Sequence, residues 1–160
     1  MEGLESLLNS EDELITSLAN ASAFLNERLP DINWVGFYLL QGETLYLGPF
    51  QGKPACTRIS VGSGVCGAAV VQNRTQCVDN VHNFPGHIAC DSASNSELVV
   101  VLRDGSGAPI GVLDVDSPLF ARFSERDVAF AERAAQLISR VMTARQYRRE
   151  MNTTKDEMYE

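Results

Sequence analysis

Cys90 lies in HNFPGHIACDSASNSE, residues 82–97, a stretch with two histidines, a proline–glycine pair and two carboxylates but almost no apolar run. A cysteine that only packs behaves as a small apolar side chain, and it belongs inside a hydrophobic strand or helix. One set among polar loop residues marks the loop itself as a candidate functional segment, because long loops without repeated structure are usually functional or disordered. His82 and His87 flank it and, with Cys90, could imitate a metal site. A fourth ligand at zinc spacing is lacking, which argues against zinc, and for both histidines a loop-bracing or surface place and a direct catalytic part are equal alternatives.

A second group of chemically capable residues follows. SELVVVLR (96–103) and PIGVLDVD (109–116) read as two strands joined by the Asp104–Gly107 turn. With that turn centred between Gly105 and Ser106, Glu97 falls opposite Asp114, and the strand period of two puts Asp116 on the same face. Like charges directly opposite one another are destabilising, so three carboxylates there need a cation, a shared proton or open solvent. A solvated face is the plain alternative, but Val99, Val101, Ile110 and Val112 share that face and are of types that bury. Magnesium or calcium would suit hard oxygen ligands. A substrate ammonium would serve as well.

NWVGFYLL (33–40) supplies an apolar counterpart. Alternation puts Val35, Phe37 and Leu39 on one face and Trp34, Gly36 and Tyr38 on the other. The first set is aliphatic core. The second places two aromatics with polar tips around a glycine, which is either ordinary packing or a wall for a small ligand with an apolar end.

The elements that must position these groups can be traced along the chain. Ser10 and Glu13 read as a capping box, after which Leu14, Ile15, Leu18, Ala21 and Leu25 recur at helical spacing as far as Pro30. Strands are expected at 33–40, 43–50 and 55–61, followed by a glycine-rich turn at 62–67, a short helix over GAAVVQN, the polar loop and the hairpin. Ser124 with Asp127 caps a last helix striped by Val128, Ala131, Ala135, Ile138 and Met142. The order predicts an α+β fold, a largely antiparallel sheet covered by helices.

With 160 residues and 44% hydrophobic content, the chain suits one domain with a true core. Its net charge of −8 argues against nucleic acid and anionic membranes as partners. MEGLESLLNSEDEL has neither the basic nor the apolar region of a signal peptide, so a cytoplasmic location is expected. Four cysteines, at 56, 66, 77 and 90, form no CxxC pair; in a reducing compartment any disulfide among them should be transient.

GPFQGKPACTRI (48–59), GSGVCG (62–67), VHNFPGHIACDSASNSE (81–97), GVLDVDS (111–117) and RFSERD (122–127) together closely resemble the free methionine-(R)-sulfoxide reductase family of single-domain GAF enzymes. The resemblance runs collinearly over about residues 30–140 of a single domain spanning 1–160; the N-terminal helix and a charged tail from about 148 carry no signature. It implies a GAF fold, with the terminal helices on one face of a central antiparallel sheet and a ligand pocket under loops on the other. It implies reduction of free L-methionine (R)-sulfoxide to methionine with thioredoxin as recycling reductant and neither metal nor other cofactor, and it admits a homodimer. By position, the nucleophilic cysteine falls on Cys90, the main resolving cysteine on Cys56 and an accessory cysteine on Cys66. The acidic pocket residues fall on Glu97, Asp114 and Asp116, with Asp116 also among the catalytic groups, and the aromatic wall on Trp34 and Tyr38. Cys77 has no counterpart.

The chemistry demands those residue types. A thiolate attacks the sulfoxide sulfur and the oxygen must be protonated to leave, so a nucleophile of lowered pKa needs an acid of raised pKa nearby. Crowded carboxylates can keep one protonated while another holds the substrate ammonium. The resulting sulfenic acid condenses with a second thiol. A non-catalytic GAF sensor, or a peroxide-responsive binding protein, would use the same pocket without releasing methionine.

Overall fold

The computed structural model describes residues 1–8, 13–87 and 91–157, with side chains as far as Arg145. Six strands form one sheet in the order β3-β2-β1-β6-β5-β4: β1 Trp34–Gln41, β2 Thr44–Gly52, β3 Arg58–Ser60, β4 Gln76–Val78, β5 Ser96–Arg103 and β6 Pro109–Ser117. Every pairing is antiparallel. The helices are α1 Glu2–Leu7, α2 Leu14–Arg28, α3 Gly64–Gln72 and α4 Glu125–Glu157. None of the described helices is long and apolar enough to cross a membrane.

Strand alternation divides the interior into two cores. Val35 and Phe37 of β1, with Leu98, Val100 and Leu102 of β5, pack beneath Leu18, Ala21 and Leu25 of α2 and Ala131, Ala135 and Ile138 of α4. Trp34 and Tyr38 point to the opposite face, where Val65, Cys66, Ala69 and Val70 of α3 close a second core. The helix-covered face stiffens the sheet. The other face, with one helix and several loops, holds the pocket.

Several boundaries differ from the sequence expectation. Glu13 is the N-cap of α2, and Ser10 lies outside the described residues. Ile15 is 68% exposed, because it falls off the buried stripe. The short helix α1, whose Leu4 is fully buried, and the three-residue edge strand β4 had no periodic signal to announce them. β3 spans only Arg58–Ser60, and α3 begins at Gly64, inside the glycine-rich stretch read as a turn. Helix α4 continues to Glu157, past the expected start of the tail. Its predicted cap is present: Ser124 N–H and Oγ–H both donate to Asp127 Oδ2, at 2.9 and 2.7 Å.

The hairpin register is corrected by two residues. Glu97 faces Asp116, and Val99 faces Asp114. Asp104 Oδ1 accepts from Ser106 N–H, Ser106 Oγ–H and Ala108 N–H, which organises a longer loop over 104–108 in place of a tight turn. A bulge between Leu102 and Arg103 completes the offset. A two-residue slip preserves the face, so the three carboxylates still point the same way.

Gly36 shows how closely the pocket wall is fitted. A Cβ there would lie 2.3 Å from Phe50 Cβ and 2.8 Å from Trp34 Cη2, in the space across which Trp34 and Phe50 stack at 5.2 Å between centroids. Gly36→Ala is therefore expected to lose about 1–3 kcal/mol in urea unfolding, as overpacked sites do, and to change the emission of Trp34, the chain's single tryptophan. Wild-type stability and emission in that variant would contradict this packing account.

Candidate active site

Six segments converge on a cavity. β1 contributes Trp34 and Tyr38, β5 Glu97, β6 Asp114 and Asp116, the first turn of α3 Cys66, and two crossing segments supply Lys53–Ala55 and His87, Asp91 and Ser94. Strand pairing fixes the floor: Trp34 sits beside Asp116 and Gly36 beside Asp114 across β1 and β6, while Glu97 pairs with Asp116 across β5 and β6. The two aromatic tips then fasten the roof. Trp34 Nε1–H donates to Lys53 O at 3.1 Å, and Tyr38 O–H donates to Cys56 O at 2.9 Å. Tyr38 thus places the backbone of Cys56 directly above the pocket wall. Cys56 is disulfide-bonded, while Cys66 and Cys77 carry free thiols.

The acidic floor is nearly sealed: Glu97 and Asp114 are each 6% exposed. Burial, then the charges of Asp114 and Asp116, push Glu97 well above the usual carboxylate range. Burial, then Asp114 and Asp91, do the same to Asp116. Asp114 rises to about 7 through burial, against the opposing pull of hydrogen bonds with Cys66, Glu97 and the Val115 backbone. Its Oδ1 is buried with no hydrogen-bond partner. Burial followed by the three carboxylates holds Cys66 as a thiol. His87 Nε2 stands 3.8 Å from Glu97 Oε2, yet burial and His82 depress the His87 pKa while burial raises that of Glu97, and both shifts disfavour the charged pair. Cys66, Glu97 and Asp114 each bring a ligand atom within 4.8 Å of the others, the one arrangement among the described residues that would fit a metal ion.

This floor makes stability fall with pH. Unfolded, Asp114 holds its proton only below about 3.8; folded, it keeps it to about 7. The folded state therefore carries the extra proton between those values. The associated stability is fully present below the unfolded pKa and is lost as pH rises through 7, at most about 4 kcal/mol from Asp114. Glu97 and Asp116 add to it in the same direction. Asp91, Asp104 and Asp127 are shifted down, so their opposing contribution falls at more acidic pH. Urea unfolding of substrate-free protein should give lower stability at pH 8 than at pH 5, with a flatter dependence in Asp114→Asn. Stability that rises across this interval would contradict a protonated floor.

The predicted residues Trp34, Tyr38, Cys66, Glu97, Asp114 and Asp116 all line the cavity, and Cys56 packs at its edge. Cys90 lies outside the described residues; His87 before it and Asp91 after it both line the cavity. The two histidines separate in role. His82 Nε2 pairs with Asn95 Oδ1 at 2.8 Å away from the pocket and braces the loop, whereas His87 faces Glu97. Cys77 is on β4, with its thiol toward Phe123 O at 3.8 Å.

Sequence reasoning missed a polar clamp behind the loop. Asn33 Nδ2 donates to Asp91 Oδ2 at 3.2 Å and to Ser94 Oγ at 3.0 Å, Lys53 Nζ lies 3.6 Å from Asp91, and Ala93 N–H donates to Asp91 Oδ1. These bonds, the Ala93 amide foremost, hold Asp91 below the usual carboxylate range. The available signal was Asp91 next to Cys90; Asn33 and Lys53 are distant in sequence and gave none.

The GAF domain family model matches residues 9–143. Over 143 residues the chain is 50% identical to the free methionine-R-sulfoxide reductase of Escherichia coli, an alignment covering 89% of this chain and 86% of that protein. The free methionine-R-sulfoxide reductase of Neisseria meningitidis, solved in complex with its substrate, superposes with a TM-score of 0.86 at 41% identity, covering 91% of this chain and 87% of that one. The reduced form of the Staphylococcus aureus fRMsr superposes with a TM-score of 0.83 at 48% identity, covering 88% and 90%.

Proposed function

The chain belongs to the free methionine-R-sulfoxide reductase family of GAF-domain enzymes and reduces free methionine (R)-sulfoxide, and from that premise we propose how its own residues divide the reaction. The observation that carries this reading is the buried, unpartnered Asp114 Oδ1 on the acidic floor, below an aromatic wall and within the same pocket as the Cys56 segment. An ammonium is the cation that such an oxygen lacks, and Trp34 and Tyr38 offer a surface for the methyl sulfoxide end of the same small molecule. Asp114 accordingly receives the substrate ammonium, with Glu97 sharing its proton beside it.

Cys90 attacks the sulfoxide sulfur as a thiolate while Asp116, kept protonated by burial and by Asp114, gives its proton to the departing oxygen. The protonated oxygen passes to the Cys90 sulfur as the bond between that sulfur and the substrate sulfur breaks with its electron pair left on the substrate, so Cys90 becomes a sulfenic acid and methionine is released. Cys56 then attacks that sulfenic sulfur, water leaves, and a disulfide forms. Support comes from the disulfide at Cys56 alongside free thiols at Cys66 and Cys77, and from the pocket positions of His87 and Asp91 on either side of Cys90. Thioredoxin restores both thiols by dithiol exchange, and Cys66, already in the pocket, serves as the accessory thiol.

The cavity has a volume of about 40 Å³, room for about three water molecules. Substrate therefore enters only when a described segment such as 53–56 moves outward, and that movement can bring Cys56 to the cysteine that has met the substrate. The test is a coupled assay with thioredoxin, thioredoxin reductase and NADPH on the free (R)-sulfoxide, the free (S)-sulfoxide and a peptide-bound sulfoxide. NADPH oxidation is expected with the first alone. Equal turnover of the peptide would defeat the ammonium assignment, and methionine formation without NADPH oxidation would defeat thioredoxin as the reductant.

A further inference from the structure

We propose that Cys66, Glu97 and Asp114 form a binding site for one borderline-soft divalent cation of the Zn2+ class, and that the ion excludes substrate from the pocket. The donor atoms of Cys66, Glu97 and Asp114 lie within 4.8 Å of one another, near the spacing that a single ion brings to bond length with small side-chain adjustments. Asp114 Oδ1 is buried without a partner. Sulfur and two carboxylates make up a three-ligand set that leaves the fourth position of a tetrahedral zinc to water, while the thiol disfavours magnesium and calcium.

Size favours an ion over an amino acid in the closed state. A cavity of about 40 Å³ admits a metal ion with a water or two without any loop opening. The ligands come from three different elements: Cys66 from α3, Glu97 from β5 and Asp114 from β6. An ion bound to all of them would tie α3 to the sheet floor. The site is inhibitory and has no step in the reaction, because it occupies the carboxylates to which the substrate ammonium is assigned; this exclusion rests on that assignment, whereas the coordination does not.

The test uses Co2+ as a spectroscopic stand-in, added without reductant to the oxidised full chain, whose Cys56 is held in a disulfide. One Co2+ per chain should bind with near-ultraviolet thiolate-to-cobalt charge transfer and the intense visible bands of a tetrahedral ion. Zn2+ should displace it, and Mg2+ should not. The charge-transfer band should be lost in Cys66→Ser and kept in Cys77→Ser, while Asp114→Asn, which keeps the side chain's shape, should weaken binding and reduce the visible bands. Absence of saturable binding, or a band that follows Cys77, would overturn the site. Added methionine should release the ion. Cobalt retained under saturating methionine would overturn the exclusion and the ammonium assignment behind it while the coordination stood.

Discussion

Cys90→Ser is expected to release no methionine from the free (R)-sulfoxide, even in a single turnover, whereas Cys56→Ser should release about one equivalent per chain and then stall. The first loss should be at least about 10^4-fold, the scale on which removal of a covalent nucleophile is felt in other enzymes. A serine hydroxyl at neutral pH is not ionised and is a poor nucleophile toward sulfur, and the burial-raised thiol of Cys66 offers no ready thiolate in its place. In Cys56→Ser the sulfenic acid should be trappable by a dimedone-type reagent, with thioredoxin-dependent turnover largely lost. Partial turnover would identify Cys66 as a stand-in resolver. In the wild type, substrate without reductant should yield a peptide-mapped disulfide between Cys56 and Cys90. A first-equivalent burst in Cys90→Ser, or an oxidised chain whose disulfide excludes Cys90, would overturn the division of roles.

These experiments concern residues whose types were legible in the sequence but whose neighbours often were not. The alternation of Trp34, Gly36 and Tyr38 against Val35 and Phe37 was readable because a strand with two different buried faces must keep its period. The acidic face was readable for the same reason, although the register was wrong by two; Asp104 builds its loop with side-chain hydrogen bonds that a two-residue turn assumption ignores. Short elements fared worse. β4 has three residues and no alternation of its own, and it exists because β5 offers it an edge. The clamp of Asn33 on Asp91 and Ser94 spans about sixty residues of chain and emerges only once β1 and the loop are adjacent. Local pattern therefore identified residues that line the cavity, while the supports that aim them depend on tertiary contact.

N-acetylation of the substrate should abolish measurable turnover. The amide removes the cation that Asp114 Oδ1 lacks and leaves buried carboxylates facing a neutral, bulkier group. Separating one member of a buried ion pair from its partner costs about 3–5 kcal/mol, which corresponds to roughly 10^2- to 10^4-fold in kcat/KM. Asp114→Asn should impose a loss of the same order on the free sulfoxide, because the amide keeps the shape and removes the charge. Asp116→Asn should lower kcat more than it raises KM, since the proton it gives to the oxygen is needed only as the bond to sulfur breaks. Glu125→Gln, at the exposed first turn of α4, provides the comparison and should change neither constant. Comparable rates on acetylated and free sulfoxide, or wild-type kinetics in both aspartate variants, would return the three carboxylates to a structural role. Retained binding of free methionine in Asp116→Asn, seen as quenching of Trp34 next to it on β1, would place its loss in the chemical step and leave the ammonium with Asp114.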